Sequence, residues 1–509
     1  MQDKGICPCL RCPMCAAGHA KGGMRMYEIM LDLEGKGNKN LYEQIYEFIK
    51  KEIQSGNLKC RERLPSTRKL AGQLSVSRST AQLAYEQLLS EGYIESVPCR
   101  GYFVCEMEEL YHLKPGGTVQ EKEDRSAKKS CPYDFTPNGV DLAHFPYATW
   151  RKLSREVLRD DPQELFHLGD PKGEYALRSA ISTYLHQARG VNVQPSQVII
   201  GAGNDYLQML LARMLGTGHR IAMESPTYRH AYEIFLRLGY DCCTVSMDHQ
   251  GMDIQELGAS GADIAYVMPS HQYPTGVVMP IKRRQELLQW ASKEEGRYII
   301  EDDYDSEFRY VGKPIPSLQS SDTNQKVIYI GTFSKAIAPS IRISYLVLPW
   351  PLLVRYEQVG KNFSCTVSRT DQKMLQLFME RGCFERHLNK MRALYRSRHD
   401  LLLTEVRRLE GVRAVKGERS GVHILLYMDR KWPEAEWIRR AAEQGVQVYP
   451  LSEYCVDQRE LEPAVILGYA TMETEDISLA VEKLRQAWGQ TENGNNCRKS
   501  EFDKNQRDL

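Results

Sequence analysis

A chain of 509 residues is too long for one ordinary hydrophobic core, so two or more domains are expected. Hydrophobic residues make up 42%, charged residues 26%, and the formal net charge is +1, a balance that points neither to a nucleic acid nor to a membrane. No apolar run approaches the roughly 18 residues a spanning helix needs, and Met1-Gln-Asp-Lys-Gly5 is not a signal peptide. The expected compartment is therefore the cytoplasm, with most of the 14 cysteines as reduced thiols.

Residues 1–25 are rich in Cys and Gly. Cys7, Cys9, Cys12 and Cys15 are dense enough to ligate zinc or an iron–sulfur cluster, but their spacing is not that of a paired knuckle. The segment is read as an extension, or as a start codon placed too early, and no metal is assigned. Leu41, Ile45, Phe48, Ile49 and Ile53 repeat at helical spacing, so 41–55 reads as an amphipathic helix. Pro65 ends that segment. Ser66 can cap a second helix over about 67–74 with Leu70 and Leu74 on one face, and Ser77 can cap a third. Ala81, Ala84, Tyr85, Leu88 and Leu89 form the third helix's buried stripe, and Gly92 stops it. Tyr93-Ile94 and Gly101–Val104 then read as the strands of a small wing.

Two helices joined by a short turn, followed by a wing, describe a winged helix-turn-helix. Its second helix presents Arg78, Thr80 and Gln82, side chains that can contact base edges or phosphates. Lys59, Arg61, Arg63, Arg68, Lys69 and Arg78, with Glu62 the one acid among them, supply a local positive patch that the whole-chain charge hides. The DNA-contacting set is Arg68, Ser77, Arg78, Thr80, Gln82 and Gly101. Residues 106–130 are polar and charged and read as a linker.

From 131 to 489, short β-rich runs alternate with helical stretches. Candidate strands are Val198–Ile200, Arg220–Met223, Cys242–Ser246, Ile264–Met268, Tyr298–Ile300, Val327–Ile330 and Ile343–Leu348. This is the pattern of an α/β domain with a seven-stranded, mostly parallel sheet covered on both faces, and a smaller subdomain is expected from about 351. Residues 490–509 read as a polar tail. Ligands of such sheets collect at the carboxyl ends of the strands. Asp302, the Gly201-Ala-Gly203 turn and Lys335 of Gly331-Thr-Phe-Ser-Lys335 all fall there. A lysine so placed can form a Schiff base with a carbonyl cofactor, and an aspartate beside it can keep a pyridine nitrogen protonated. Neighbouring strand residues face opposite ways, so either Asp302 or Asp303 reaches such a ring, not both. Glycines before a helix let the backbone approach a phosphate, which makes Ala202, Gly203 and Asn204 candidates, with the hydroxyls of Thr332 and Ser334.

Leu64-Pro-Ser-Thr-Arg68, Ser77-Arg-Ser-Thr80, Tyr85-Glu-Gln-Leu88, Glu91-Gly92 and Gly101-Tyr-Phe-Val104 resemble the DNA-binding module of GntR regulators. Ile300-Glu-Asp-Asp-Tyr-Asp-Ser-Glu-Phe-Arg-Tyr310 and Gly331–Lys335 resemble a fold type I aminotransferase domain. In this order the two resemble the MocR subfamily, over about 36–489. The resemblance implies pyridoxal 5'-phosphate (PLP) held covalently by Lys335, with Asp302 at the pyridine nitrogen and Tyr304 at the phenolic oxygen. It further implies Tyr228 stacked on the ring and Arg342 on the phosphate. It implies a homodimer, a double-stranded DNA operator, and genes of vitamin B6 or amino-compound metabolism.

Two departures stand out. An asparagine usually precedes Pro-Thr-Gly in aminotransferases; here Tyr273 does, after His271 and Gln272, and any of the three is a candidate to face the ring. The arginine that holds a substrate carboxylate usually precedes a Leu-x-aromatic segment. Here Ile466-Leu-Gly-Tyr469 has none, and neither Arg413 nor Arg459 can be placed. The expected function is a PLP-binding transcription regulator sensing PLP, an amino compound, or both; the alternative is an active aminotransferase with a fused DNA-binding head.

Overall fold

The computed structural model describes residues 40–106, 131–160, 163–310, 312, 314–360, 362–457 and 461–489. The Cys7–Cys15 cluster, the expected linker after Glu106, Arg459 and the polar tail lie outside them. The chain divides into two compact units, one ending at Ser126 and the other starting at Ala127.

In the first unit, α1 (Leu41–Gln54) turns Ile45, Ile49 and Ile53 inward. Leu41, expected on that face, is exposed because it opens the helix at the edge of the core. α2 (Thr67–Gln73) begins at Ser66, whose hydroxyl accepts the Lys69 N–H at 3.3 Å, and α3 (Arg78–Ser90) at Ser77, which accepts the Thr80 N–H at 3.1 Å. Each cap satisfies a donor that a helix start leaves unpaired. α3 buries Ala81, Ala84, Tyr85 and Leu88, while Leu89 is only partly covered. The Tyr85 hydroxyl donates to the Pro65 carbonyl at 2.9 Å, tying α3 to the turn before α2. Past α3, Gly92 takes φ +76°, a left-handed value that glycine adopts without a Cβ clash. β1 (Ile94–Val97) and β2 (Gly101–Val104) then pair antiparallel, Ile94 opposite Val104, and both residues close the same core.

The second unit is built on an eight-stranded sheet. Its strands are β4 (Val198–Gly201), β5 (Arg220–Ser225), β6 (Asp241–Asp248), β7 (Gly251–Met252), β8 (Ile264–Val267), β9 (Tyr298–Asp303), β10 (Val327–Thr332) and β11 (Ser344–Val347). They follow β3 (Tyr133–Asp134) in the chain. The spatial order is β4-β11-β10-β9-β8-β5-β6-β7. The run from β10 to β6 is parallel, and β11 lies antiparallel to both neighbours. All seven expected strands are present. The eighth, β7, is a two-residue edge strand turning back on β6, too short to leave a sequence pattern. Apolar side chains alternate to both faces: Tyr266, Ile300 and Ile328 join one core, Val267, Ile299 and Val327 another. Helices cover each face, as a parallel sheet requires.

The smaller subdomain is a four-stranded antiparallel sheet, β12 (Val412–Lys416), β13 (His423–Met428), β16 (Ala464–Gly468) and β15 (Tyr449–Pro450), in that order. It begins later than 351. The helices Trp350–Val359 and Arg369–Glu380 bury Leu353, Tyr356, Leu375 and Phe378 against the large sheet. The helix Cys383–Val406 crosses over: Phe384 and Leu388 pack with the large sheet, Met391 and Tyr395 with the small one. The segment at β3 also belongs to the subdomain, because β3 pairs in parallel with β14 (Val446–Gln447) and Phe135 enters its core.

Candidate functional site

The carboxyl ends of the parallel strands open into a cavity lined by Asp302 of β9, Thr332 of β10, and Ser334 and Lys335 just beyond it. Asn204, Tyr228, Tyr304 and Arg342 complete the expected lining. Ala202 and Gly203 do not line it; they immediately precede Asn204, which does.

The acidic run resolves as strand alternation dictates. Asp303 points away from the cavity, where Arg189 pairs with it at 2.9 Å and the Tyr329 hydroxyl donates to it. Asp302 points into the cavity. Its Oδ2 accepts the Tyr266 hydroxyl, and its Oδ1 is buried with no partner. Burial pushes the Asp302 carboxyl up to about 7, against the Tyr266 hydrogen bond that favours its charged form. Glu301, also buried, accepts the Leu318 and Gln319 N–H groups at 2.7 and 2.8 Å and serves the fold rather than the cavity.

Lys335 donates from Nζ to the Pro137 carbonyl at 3.3 Å. Burial lowers its pKa to about 8, and nearby Asp305 resists that fall. The neutral, nucleophilic form is therefore a minority near physiological pH, but far more abundant than for an ordinary lysine. Tyr304 shares a hydrogen bond with His271 Nδ1 at 3.0 Å, and His271 pairs with Asp305 at 2.9 Å. The Tyr228 hydroxyl is pushed up to about 12, mainly by burial.

At the opposite end, the helix Asn204–Leu215 starts beside the cavity, and a helix start offers N–H groups to an anion. Gly203 has φ +92°, and a Cβ there would overlap the Arg342 guanidinium. Arg342 Nη2 meets the Ala202 carbonyl at 3.3 Å and Asp205 at 3.1 Å, while the Ala202 N–H donates to Thr366 Oγ1 at 2.9 Å. The Asn204 side-chain oxygen is buried without a partner. Thr332 Oγ1 donates to Ser334 Oγ at 3.0 Å and accepts from Ser344 Oγ at 2.9 Å, which fixes the turn before Lys335.

Of the three residues before Pro274, Tyr273 lines the cavity. Gln272 instead donates to the Pro226 carbonyl at 2.8 Å and accepts from the Thr275 N–H at 3.0 Å, bracing two loops. His271 stands behind Tyr304. Three lining residues escape sequence reading: Asn138, Asp205 and Met268. Asn138 had one signal, the turn-forming Thr136-Pro-Asn-Gly139 after a short strand, but its contact with residues so distant in sequence leaves no local trace. The site brings together a desolvated amine, a half-satisfied carboxylate, and a helix start flanked by hydroxyls and a guanidinium. These suit a ligand with a carbonyl, a ring nitrogen and a phosphate.

In the head, Arg68, Ser77, Arg78 and Gln82 are exposed, and Thr80 and Gly101 are partly so. The Ser77 hydroxyl is held by its cap, and the Gln82 amide donates to Glu86 at 2.9 Å. Gly101 has φ +109° and packs against the Arg63 side chain. Arg61 is paired with Glu106 at 3.1 Å, which reduces the local positive charge by one pair. Among the described residues, Asp141, His144 and Glu473 lie at metal-ligand spacing, but Arg398 bonds both Asp141 and Glu473 at 2.8 Å and supplies the counter-charge. No helix among the described residues is long and apolar enough to cross a membrane.

Residues 138–484 match the family described as Aminotransferase class I and II, and residues 41–104 match Bacterial regulatory proteins, gntR family. The chain is similar to the "Uncharacterized HTH-type transcriptional regulator YhdI" of Bacillus subtilis (strain 168), 40% identical over 90% of this chain and 97% of that protein. It is similar also to the "Probable rhizopine catabolism regulatory protein MocR" of Rhizobium meliloti, 31% identical over 90% of this chain and 96% of that one. Among solved structures, Pyrococcus horikoshii kynurenine aminotransferase in complex with PMP shares the fold, with a TM-score of 0.64 at 24% identity over 70% of this chain and 91% of that one. A GntR DNA-binding head on a fold type I aminotransferase-like unit, matched over 90% of the chain by transcriptional regulators, places this chain in the MocR subfamily of transcription regulators.

Proposed function

We propose that the second unit binds PLP at the cavity around Lys335 and that its occupancy, by PLP alone or with an amino compound, sets how the first unit binds an operator. One observation carries this reading: the cavity joins the desolvated Lys335 amine, the unpartnered Asp302 oxygen and the helix start guarded by Arg342. The residues present fit the cofactor. Asp302 Oδ1 is free to hold a ring N–H, Asn204 has a free buried oxygen, and Gly203 keeps the space beside Arg342 that any side chain would fill. Lys335 would hold the carbonyl, Tyr228 and Tyr304 the ring, and Thr332, Ser334, Arg342 and the backbone at Ala202–Asn204 the phosphate. When bound, PLP supplies an electrophilic carbonyl carbon and an electron-withdrawing ring. Asp302 keeps that ring protonated, Tyr228 covers its face, and Lys335 provides the neutral amine.

The head would contact operator phosphates and bases through Arg68, Ser77, Arg78, Thr80, Gln82 and Gly101, with a dimer offering paired half-sites. The dimer reading is supported by large apolar side chains exposed close together in sequence, Phe166 at 75%, Leu168 at 89% and Tyr175 at 65%. The cytoplasm, where operator DNA and PLP meet, is the proposed compartment. The test is a pair of titrations on one sample. PLP should give a visible absorbance that is lost in Lys335→Ala, and the same PLP addition should change the affinity for operator DNA. Absorbance without any change in DNA binding would overturn the regulatory part. Sustained transamination at the roughly 1–10³ per second of ordinary enzymes would favour the aminotransferase alternative.

A further inference from the structure

We infer that the amine this cavity receives carries no carboxylate on its α-carbon, and that its apolar part rests against the wall formed by Tyr273, which Tyr454 braces. The inference rests on the cofactor reading above and names the ligand class of the same site. Among the described residues lining the cavity, two are cationic, Lys335 and Arg342. Lys335 is committed to the cofactor carbonyl. Arg342 sits at the helix start, tied to Asp205 at 3.1 Å and to the Ala202 carbonyl at 3.3 Å. Two acids, Asp205 and Asp302, line the same space, and Asp305 is near enough to raise the proton affinity of Lys335. The local charge therefore favours an ammonium group and disfavours a second anion.

The remaining wall is neutral. Tyr273 packs edge-on against Tyr228, Tyr304 and Tyr454, and its hydroxyl shares a 2.8 Å hydrogen bond with that of Tyr454. Tyr454 packs in turn on a buried apolar cluster of Leu425, Leu451, Ala464 and Ile466. Ile466 and Leu425 are register partners on adjacent strands of the small sheet, so a guanidinium at that place would stand in apolar surroundings. Arg413 is held by Glu462 at 3.3 Å and is half exposed. The Arg309 backbone bridges to Ser420, and its guanidinium Nε and Nη1 are buried without a partner, but Arg309 does not line the cavity. Among the described residues that line the cavity, none offers a carboxylate a free counter-charge, whereas an alkyl or aryl amine would meet tyrosine rings.

The test compares matched pairs that differ only by the carboxylate. Full-length protein loaded with PLP is titrated calorimetrically with 2-phenylethylamine against L- and D-phenylalanine, and with isopentylamine against L-leucine. Each amine should bind at least about tenfold more tightly than its amino-acid counterpart. Amino acids binding as tightly as the amines, or more tightly, would overturn the inference. Ile466→Arg should narrow the gap by about tenfold in favour of phenylalanine; an unchanged ratio in folded variant, judged by its melting curve, would count against the wall as its cause. If that variant does not fold, the wild-type comparison still decides. Absorbance of the same samples separates the two levels: visible lysine-bound PLP with tight amino-acid binding sinks the ligand class alone, and protein that never takes up PLP sinks both.

Discussion

Replacing Gly203 by alanine perturbs the phosphate end of the cavity without touching any reacting group. The backbone there holds φ at +92°, and an added Cβ would overlap the Arg342 guanidinium. With ψ at 166° this is an essentially glycine-only conformation, and forcing an L-residue into it costs roughly 1–3 kcal/mol. That strain is present with and without ligand, so it should appear as a melting temperature lower by about 1–4 °C in a unit of this size. The displaced arginine acts differently, because it is felt only when a phosphate is bound. Losing one charge-assisted hydrogen bond costs about 1.5–3 kcal/mol, or about 10- to 100-fold in PLP affinity. The assay is PLP titration followed by absorbance, beside Arg342→Ala and the double variant. The two changes should be strongly non-additive, since both remove the same contact. A Gly203→Ala protein that binds PLP within about threefold of wild type, or additive effects in the double variant, would refute the placement of Arg342 on the phosphate.

Lys335 should govern the pH dependence of PLP uptake. Burial lowers its pKa to about 8, so the neutral, nucleophilic form is scarce at pH 6, half present near 8, and complete above. The uptake rate should climb through that window and level off; a midpoint near the model-compound lysine value of 10.5 would contradict the desolvated amine. Arg78→Ala should weaken operator binding by about 1–3 kcal/mol, measured by fluorescence anisotropy, while leaving PLP absorbance unchanged. Tyr85→Phe removes the 2.9 Å hydrogen bond to Pro65 and leaves a buried carbonyl unpaired, so the head should lose about 1–3 kcal/mol in denaturant unfolding; no loss would mean that water replaces the hydroxyl.

Most of this architecture was legible because it depends on local pattern. The capped helices of the head announce themselves through Ser66 and Ser77, and the large sheet through short apolar runs ending in Asp302 and Lys335. The alternation of a strand predicts that only one of Asp302 and Asp303 faces the cavity, and the Arg189–Asp303 pair settles which. What sequence reading missed depends on distant contacts. Asn138 reaches the cavity because β3 is stitched to β14, more than 300 residues away along the chain. Gln272, a candidate for the ring, is claimed by the Pro226 and Thr275 backbone. The helices between 350 and 380 read as subdomain but bury their apolar faces on the large sheet, a choice their own periodicity does not encode.

The central claim is that chemistry at Lys335 is read out as DNA binding. The most direct measurement is the affinity of the full chain for its operator with and without PLP, in wild type and Lys335→Ala, at fixed salt. The account predicts that PLP changes the wild-type affinity and leaves the variant, still folded and still DNA-binding, unresponsive. An equal PLP response in both proteins, or none in either, would contradict it.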